Sequence, residues 1–189
     1  MEPSFYLLLP SVFGTFGLVW HEAEKGPVVQ RVFLPSAQTP VGEVVRATFS
    51  DARPSSCPAI AELAERMQRS ISGEGGGEVV DFGLELIALE RCSEFQARVL
   101  LAEHEIPRGW VSSYGRIARE LGASGGGRAV GRALAQNPFP IIIPCHRAVR
   151  SNGELGGYQG GLEMKRALLE FEGVEFTSGG KVVMRRVYY

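Results

Sequence analysis

Residues Asn137–Arg147 read NPFPIIIPCHR, and the Cys-His pair at Cys145 and His146 is delivered there by an apolar run and a proline. Phe139 to Ile143 has the apolar continuity of a buried strand, and Pro144, which lacks an N–H to donate, stops it. Cys145 then stands at a strand end that opens into a loop, where a rigid scaffold presents chemical groups. A free cysteine is commonly a small core hydrophobe, but His146 and Arg147 beside this thiol favour its thiolate. Neighbouring residues of an extended chain point to opposite faces. His146 therefore acts on Cys145 only where the chain turns or a water bridges the two.

Working outward, the chain of 189 residues is long enough for one large domain or two small ones, and its hydrophobic share of 44% supports a real core. Cys57, Cys92 and Cys145 are odd in number and widely spaced, with no CxxC pair, and the histidines are only His21, His104 and His146. That pattern argues against a disulfide framework or a zinc site, so no metal is expected, and free thiols fit a reducing cytosol. Phe5 to Trp20 is apolar, but Glu2 stands where a signal peptide is basic, and Pro10, Gly14 and Gly17 break the run. It reads as strand, turn, strand, with no membrane segment. The net charge of −1 conceals an asymmetry: residues 1–92 carry 7 Lys+Arg against 12 Asp+Glu, and residues 93–189 carry 13 against 9. The basic excess in the second half suits a phosphate-bearing partner or a solvated surface, and with an acidic first half one-sided contact with nucleic acid fits better than wrapping.

FYLLL, TFGLVWHE and VVQRVFL, between Phe5 and Leu34, read as short strands of a small antiparallel sheet. Ile60, Leu63, Ala64 and Met67 mark an amphipathic helix over Cys57–Ser72, ended by the glycine cluster that follows, and Val79–Leu89 returns to strand or extended chain. Ser93 is placed to N-cap a helix from Glu94 to about His104. The domain boundary falls near residues 86–93, giving a first domain over 1–90 and a second over 91–189. Beyond Pro107, SSYGRIARELG, ASGGG and RAVGRALAQNPFP have the proportions of a helix-turn-helix, with helices over about Tyr114–Leu121 and Arg128–Gln136. Ser112 or Ser113 caps the first, and Gly122 ends it in a left-handed conformation. Ala129, Gly131, Ala133 and Ala135 leave the second with little bulk, for a close packing contact or for a DNA groove with Arg128 projecting into the duplex. Glu163–Phe171 reads as an amphipathic helix whose Lys165 and Arg166 are solvated or phosphate-facing. The fold class is α/β (α+β): a small antiparallel-sheet domain with a helix, then a mostly helical domain.

With IPRGWVSSYGRIA and RAVGRALAQ preceding it, the run NPFPIIIPCHRAVRSNGELGGYQGGLEMKRALLEFEG resembles the O6-alkylguanine-DNA alkyltransferases, or methylated-DNA–protein-cysteine methyltransferases. The likeness spans roughly Phe95–Gly173, where PCHR, the GGYxGG turn, the LLxxEG end and the SYG helix start occur together in order. Residues 1–90 match only in style, as the small-sheet, RNase H-like domain that the family carries in front. The resemblance implies that Cys145 accepts the alkyl group, that a water links its thiol to His146, and that Glu172 orients His146. A thiol of ordinary acidity is only a few per cent thiolate at neutral pH, so such a relay is chemically needed.

O6 of a stacked guanine is out of reach, so the nucleotide must swing into a pocket. By resemblance Arg128 fills the gap in the stack, while Tyr114 crowds the flipped nucleotide's phosphate and hands the base a proton, making neutral guanine the leaving group. Asn137 resembles the hinge that holds the active-site loop in a tight turn. Tyr158 walls the alkyl pocket and Gln159 offers backbone groups to the base, while Ser113, Ala129 and Ser151 complete the implied DNA and substrate contacts. Ala148 stands where the family often has a β-branched residue, which widens the pocket, and Leu134 compensates.

The expected function is stoichiometric repair of O6-alkylguanine, with O4-alkylthymine as a further candidate substrate, in duplex DNA by a monomer without a cofactor. The expected place is the cytoplasm, at the nucleoid, or the nucleus in a eukaryote. Two other readings stand beside it: a lesion recogniser of the alkyltransferase-like type, against which Cys145 argues, and a cysteine hydrolase using the same Cys, His and Glu, in which the helix-turn-helix and Arg128 would have no purpose.

Overall fold

The computed structural model describes residues 3–72, 80 and 82–189, and the chain divides into two compact units. The first comprises residues 1–89 with 138–140, and the second comprises 90–137 with 141–189.

In the first unit, strands β1 (Ser4–Ser11), β2 (Gly14–Ala23) and β3 (Gly26–Phe33) form an antiparallel meander, and the two-residue β4 (Arg53–Pro54) adds in parallel to β1. The sheet order is β3-β2-β1-β4. Five consecutive residues of β2, Phe16 to Trp20, are buried, which marks a central strand covered on both faces. On one face Val19 packs with Val41 and Val45 of helix α1 (Val41–Thr48). Helix α2 (Pro58–Ile71) buries Ile60, Leu63, Ala64 and Met67, the positions that the three-and-four spacing singles out. Val32 N–H donates to the Pro138 carbonyl at 2.8 Å, a bond inside this unit.

One expectation for this unit changes. Residues 84–86 form a 3₁₀ turn instead of extended chain and another begins at Leu89, and among the described residues of the stretch Ile87 makes a strand-like bridge, to Val29. The rest of the expected extended stretch includes Val79 and Asp81, which lie, with the glycine cluster at 73–77, outside the described residues. Helix α1 lies outside the elements read from the sequence, although Val41, Val44 and Val45 have helical spacing; Pro40 precedes it without a capping side chain, and two of its eight residues, Val41 and Val45, are buried.

In the second unit Ser93 caps helix α3 (Glu94–His104) by accepting from Gln96 N–H at 3.3 Å. Strand β5 (Ser112–Ser113) leads straight into α4 (Tyr114–Glu120), which Ser113 caps by accepting from Arg116 N–H. Gly122 follows with φ +72°, the left-handed turn that lets the chain reverse into α5 (Gly127–Ala135). Strand β6 (Ala148–Val149) pairs in parallel with β5, Ser112 opposite Ala148 and Ser113 opposite Val149. That short pairing fixes the residues after Arg147 beside the start of α4. Helix α6 (Gly161–Phe171) closes the unit, and the tail returns along β5 where Tyr188 N–H donates to the Val111 carbonyl. Val111, Val149, Leu169, Val174 and Val182 form a core cluster that joins these pieces.

Candidate active site

The strand expected over Phe139–Ile143 is absent: residues 138–139 bend and 141–142 turn, with only isolated bridge residues at Pro140 and Ile143. Ile141 takes φ +76°, a left-handed conformation that costs a β-branched residue about 1–2 kcal/mol. Asn137 holds this reversal from inside. It is 1% exposed, its Nδ2 donates to the Ile143 carbonyl at 3.1 Å, and its side chain also hydrogen-bonds Cys145. Periodicity cannot register a turn closed by one amide side chain, and an apolar run therefore passes for a strand.

Cys145 consequently begins a 3₁₀ turn over Cys145–Arg147, closed by Arg147 N–H donating to the Pro144 carbonyl at 2.8 Å. The chain turns at the point where the adjacency of Cys145 and His146 requires it. Both residues are buried, Cys145 at 5% exposure. His146 Nε2 lies 2.9 Å from Glu172 Oε1. Glu172 is the residue that ends α6, and it also accepts from Arg147 Nε at 2.9 Å and Nη2 at 2.8 Å, and from Gly109 N–H at 3.4 Å. Arg147 Nη1 in turn donates to the Ile106 carbonyl at 2.6 Å. Sequence reading set Arg147 beside the thiol; the structure spends its guanidinium on Glu172.

The electrostatics follow from this burial. Burial pushes the Cys145 thiol up to about 12, against the opposing pull of its Asn137 hydrogen bond, so the resting side chain is a thiol. Burial likewise lowers His146, with Glu172 opposing, so the imidazole rests neutral. Burial alone would raise Glu172, but His146 and Arg147 outweigh it and hold the carboxyl well below the usual range. An anionic Glu172 accepting from Nε2–H leaves Nδ1 as the basic nitrogen, and Nδ1 is buried with no hydrogen-bond partner in the protein.

A cavity of about 960 Å³ opens on Cys145. Tyr114 of α4 and Arg128, Gly131 and Leu134 of α5 line one side; Arg150 to Asn152 and Gly156 to Gln159 line the other. Gly156 has φ +71°, and a Cβ there would lie 2.6 Å from Tyr114 Oη, so this position needs glycine for conformation and for space. Burial pushes Tyr114 up to about 12, with the charges of Glu103 and Cys145 adding to the effect. Burial also raises Tyr158 well above the ordinary tyrosine value, and its hydroxyl has no protein partner.

Of the residues singled out in the sequence, Tyr114, Arg128, Leu134, Cys145, Ser151, Tyr158 and Gln159 meet at this cavity. His146, Glu172 and Asn137 stand behind Cys145. Ser113 is buried with its hydroxyl committed to the α4 cap, Ala129 is exposed on α5, and Ala148 is fully buried, so these three do not line the cavity. Gln159 uses its side chain as well, donating to the Asn137 carbonyl at 2.9 Å. Arg150 and Asn152 line the cavity without having been singled out.

Lys165 is neither solvated nor phosphate-facing: it is 0% exposed and donates to the carbonyls of Ala148 and Leu155 at 2.6 Å and of Gly157 at 3.3 Å. The signal was present, because Lys165, Leu168, Leu169 and Glu172 share one helical face by spacing. Among the described residues no three His, Cys, Asp or Glu side chains gather as a metal ion would require, and no helix is long and apolar enough to cross a membrane.

The second helix of a helix-turn-helix flanks a cavity over a buried Cys-His-Glu constellation, and residues 94–174 match the family model described as 6-O-methylguanine DNA methyltransferase, DNA binding domain. A methylated-DNA–protein-cysteine methyltransferase of Mycobacterium leprae is 41% identical over 131 residues, 69% of this chain and 77% of the relative. One from Methanothermobacter thermautotrophicus is 48% identical over 95 residues, 50% of this chain and 53% of its own length. A crystal structure of Mycobacterium tuberculosis OGT in complex with DNA superposes with TM-score 0.69 at 34% identity, covering 89% of this chain and 92% of that one. The chain belongs to the methylated-DNA–protein-cysteine methyltransferase family. Several of the curated relatives it matches are spanned over only about half their length.

Proposed function

We propose that this protein repairs O6-alkylguanine in duplex DNA by moving the alkyl group to Cys145, once per molecule. The observation that carries the reading is the His146 Nε2 to Glu172 Oε1 bond of 2.9 Å behind a buried cysteine that faces a cavity roomy enough to admit a base.

In this reading α5 lies against the DNA. Ala129 and Ala135 are exposed on it and leave little bulk, which favours close approach to a groove. Arg128, at its start, enters the stack as the damaged nucleotide swings out into the cavity. Tyr114, Ser151 and the Tyr158 loop then hold the nucleotide, with Tyr158 against the alkyl group. His146 Nδ1 takes the thiol proton through a bridging water, and Glu172 stabilises the imidazolium that forms. Cys145 Sγ bonds to the alkyl carbon, the bond from that carbon to O6 breaks, and Tyr114 supplies the proton with which guanine leaves neutral. The thioether does not hydrolyse, so the protein is consumed, and no cofactor enters the balance. The same chemistry extends to larger alkyl groups and to O4-alkylthymine. The first unit serves as an RNase H-like companion domain, the protein acts as a monomer, and its free thiols suit a reducing compartment, the cytoplasm with its nucleoid or a nucleus.

Intact-protein mass spectrometry after incubation with a duplex carrying one O6-methylguanine tests this. The expected result is a single methyl on Cys145, absent in Cys145→Ala. Lesion-selective binding without added mass would instead make the protein a recogniser.

A further inference from the structure

We propose that Arg150 binds a phosphate of the duplex at the mouth of the Cys145 cavity, exchanging its carboxylate partner Glu154 for the DNA. The assignment rests on the alkyl-transfer reading for what enters the cavity, and on the geometry of the second unit for where a phosphate must lie.

Among the described residues that line the cavity, the charged side chains are Arg128 and Arg150, and no acid stands with them. Arg128 belongs to α5 on one wall, and Arg150 follows β6 on the other. A cavity whose charges are all positive favours an anionic partner. A base that reaches buried Cys145 brings its phosphodiester linkages no further than the rim, because a charge taken out of water without a partner is costly. Cys145 is 5% exposed, while the Arg150 side chain on the same cavity is 61% exposed, so Arg150 stands on that rim. Ser151 and Asn152 beside it are also exposed and also line the cavity.

The turn that carries Arg150 is tied down by its own backbone. Arg150 N–H donates to the Glu154 carbonyl at 2.8 Å, Gly153 N–H to the Arg150 carbonyl at 3.0 Å, and Glu154 N–H to Asn152 Oδ1 at 3.2 Å. Gly153, with φ +82°, is buried against Val182 of the core cluster, whose N–H donates to the Gly153 carbonyl at 2.8 Å. The side chain is held more lightly. Its Nη1 donates to Glu154 Oε2 at 2.8 Å, but Glu154 is 43% exposed, and an exposed ion pair contributes little to stability. That bond occupies one N–H of the guanidinium, whose planar fork of donors matches the oxygens of a phosphate. Lys181 Nζ lies 4.0 Å from Glu154 Oε1, so the carboxylate keeps a cation beside it when Arg150 leaves. A fixed turn and an easily released partner present the arginine to DNA at small ordering cost.

Equilibrium binding of the intact protein to a duplex carrying one O6-methylguanine, between about 50 and 200 mM salt, tests this. Arg150→Gln should weaken binding about ten-fold at the lower salt, the scale of one charge-assisted hydrogen bond. It should also flatten the slope of log K against log salt by about one, the signature of one lost phosphate contact. Arg150→Lys keeps the charge and should keep the wild-type slope. Alkyl transfer at sub-saturating duplex should fall in Arg150→Gln by the same factor as affinity, and the gap should narrow as salt rises. Loss through a distorted site would persist at every salt. A wild-type slope in Arg150→Gln overturns the proposal and leaves Arg150 and Glu154 as a solvated pair, and a slope flattened equally in Arg150→Lys overturns it too. If wild-type protein transfers no alkyl group from this duplex, the alkyl-transfer reading fails, while the salt slopes still decide whether Arg150 meets a phosphate.

Discussion

Replacing Glu172 by glutamine removes the charge that holds two cationic or cation-forming partners and leaves the shape of the site almost intact. Glu172 is 5% exposed, and Arg147, whose guanidinium makes its closest contact with it at 2.8 Å, is 15% exposed. Removing one partner of such a buried pair costs about 3–5 kcal/mol, and because glutamine keeps an acceptor oxygen the lower end applies. For a protein of this size each kcal/mol moves the melting temperature by roughly 2–4 °C, so Glu172→Gln should melt about 6–12 °C below wild type near neutral pH. The pH dependence has a definite sign. The folded carboxyl sits below its ordinary value of 4.5, so its contribution is fully present above that value and is lost as pH falls through the depressed one. The gap between wild type and variant should therefore close in acid. Alkyl transfer should fall by about 10²–10⁴, the contribution of a working acid-base relay. Calorimetry at neutral pH and near pH 3, with single-turnover kinetics beside it, provides the assay. A variant that melts within about 2 °C of wild type at neutral pH, or one whose deficit is undiminished in acid, would refute the argument.

Further tests address neighbouring features. Iodoacetamide at neutral pH should label half-buried Cys57 and Cys92 before Cys145, whose thiol burial raises to about 12; peptide mapping that finds Cys145 modified first contradicts this. Asn137→Ala leaves the buried Ile143 carbonyl without its donor at a cost of about 1–3 kcal/mol, so both melting temperature and transfer rate should drop, and a stable, fully active variant would remove Asn137 from the hinge role. Gly156→Ala forces a Cβ against Tyr114 Oη in a left-handed backbone, and it should slow transfer at least ten-fold, as expected when a reacting group is displaced; an unaffected rate would show that the loop yields freely. Ser93→Ala, by contrast, should cost only about 1 kcal/mol of stability through the lost α3 cap and leave transfer unchanged.

The sequence carries the elements whose signal is local. Ser93 and Ser113 announce helix starts, Gly122 a helix end, and the spacing of Ile60, Leu63 and Met67 a buried helical face, and each is found there. The site was legible where family likeness supplied long-range pairing: nothing in the spacing of His146 and Glu172, 26 residues apart, brings them to 2.9 Å. At Lys165 charge misled, although its spacing from Leu168, Leu169 and Glu172 sets it on one helical face. Lys165 sits among polar residues on a helix that looks solvated in part, and its burial depends on which face α6 turns inward. The run from Phe139 to Ile143 misled in the opposite way, since apolarity reports burial and not backbone shape.

Cys145 is enclosed, protonated at rest and followed by an imidazole that hydrogen-bonds Glu172. For a protein that works once, as proposed here, this has a meaning that it lacks for an enzyme that turns over. Any stray oxidant or electrophile that reaches the sulfur removes a molecule from service as surely as a damaged base does. A thiol kept unreactive until a nucleotide enters the cavity gives each copy a long idle lifetime, and the number of lesions a cell can clear then tracks the number of copies it has made.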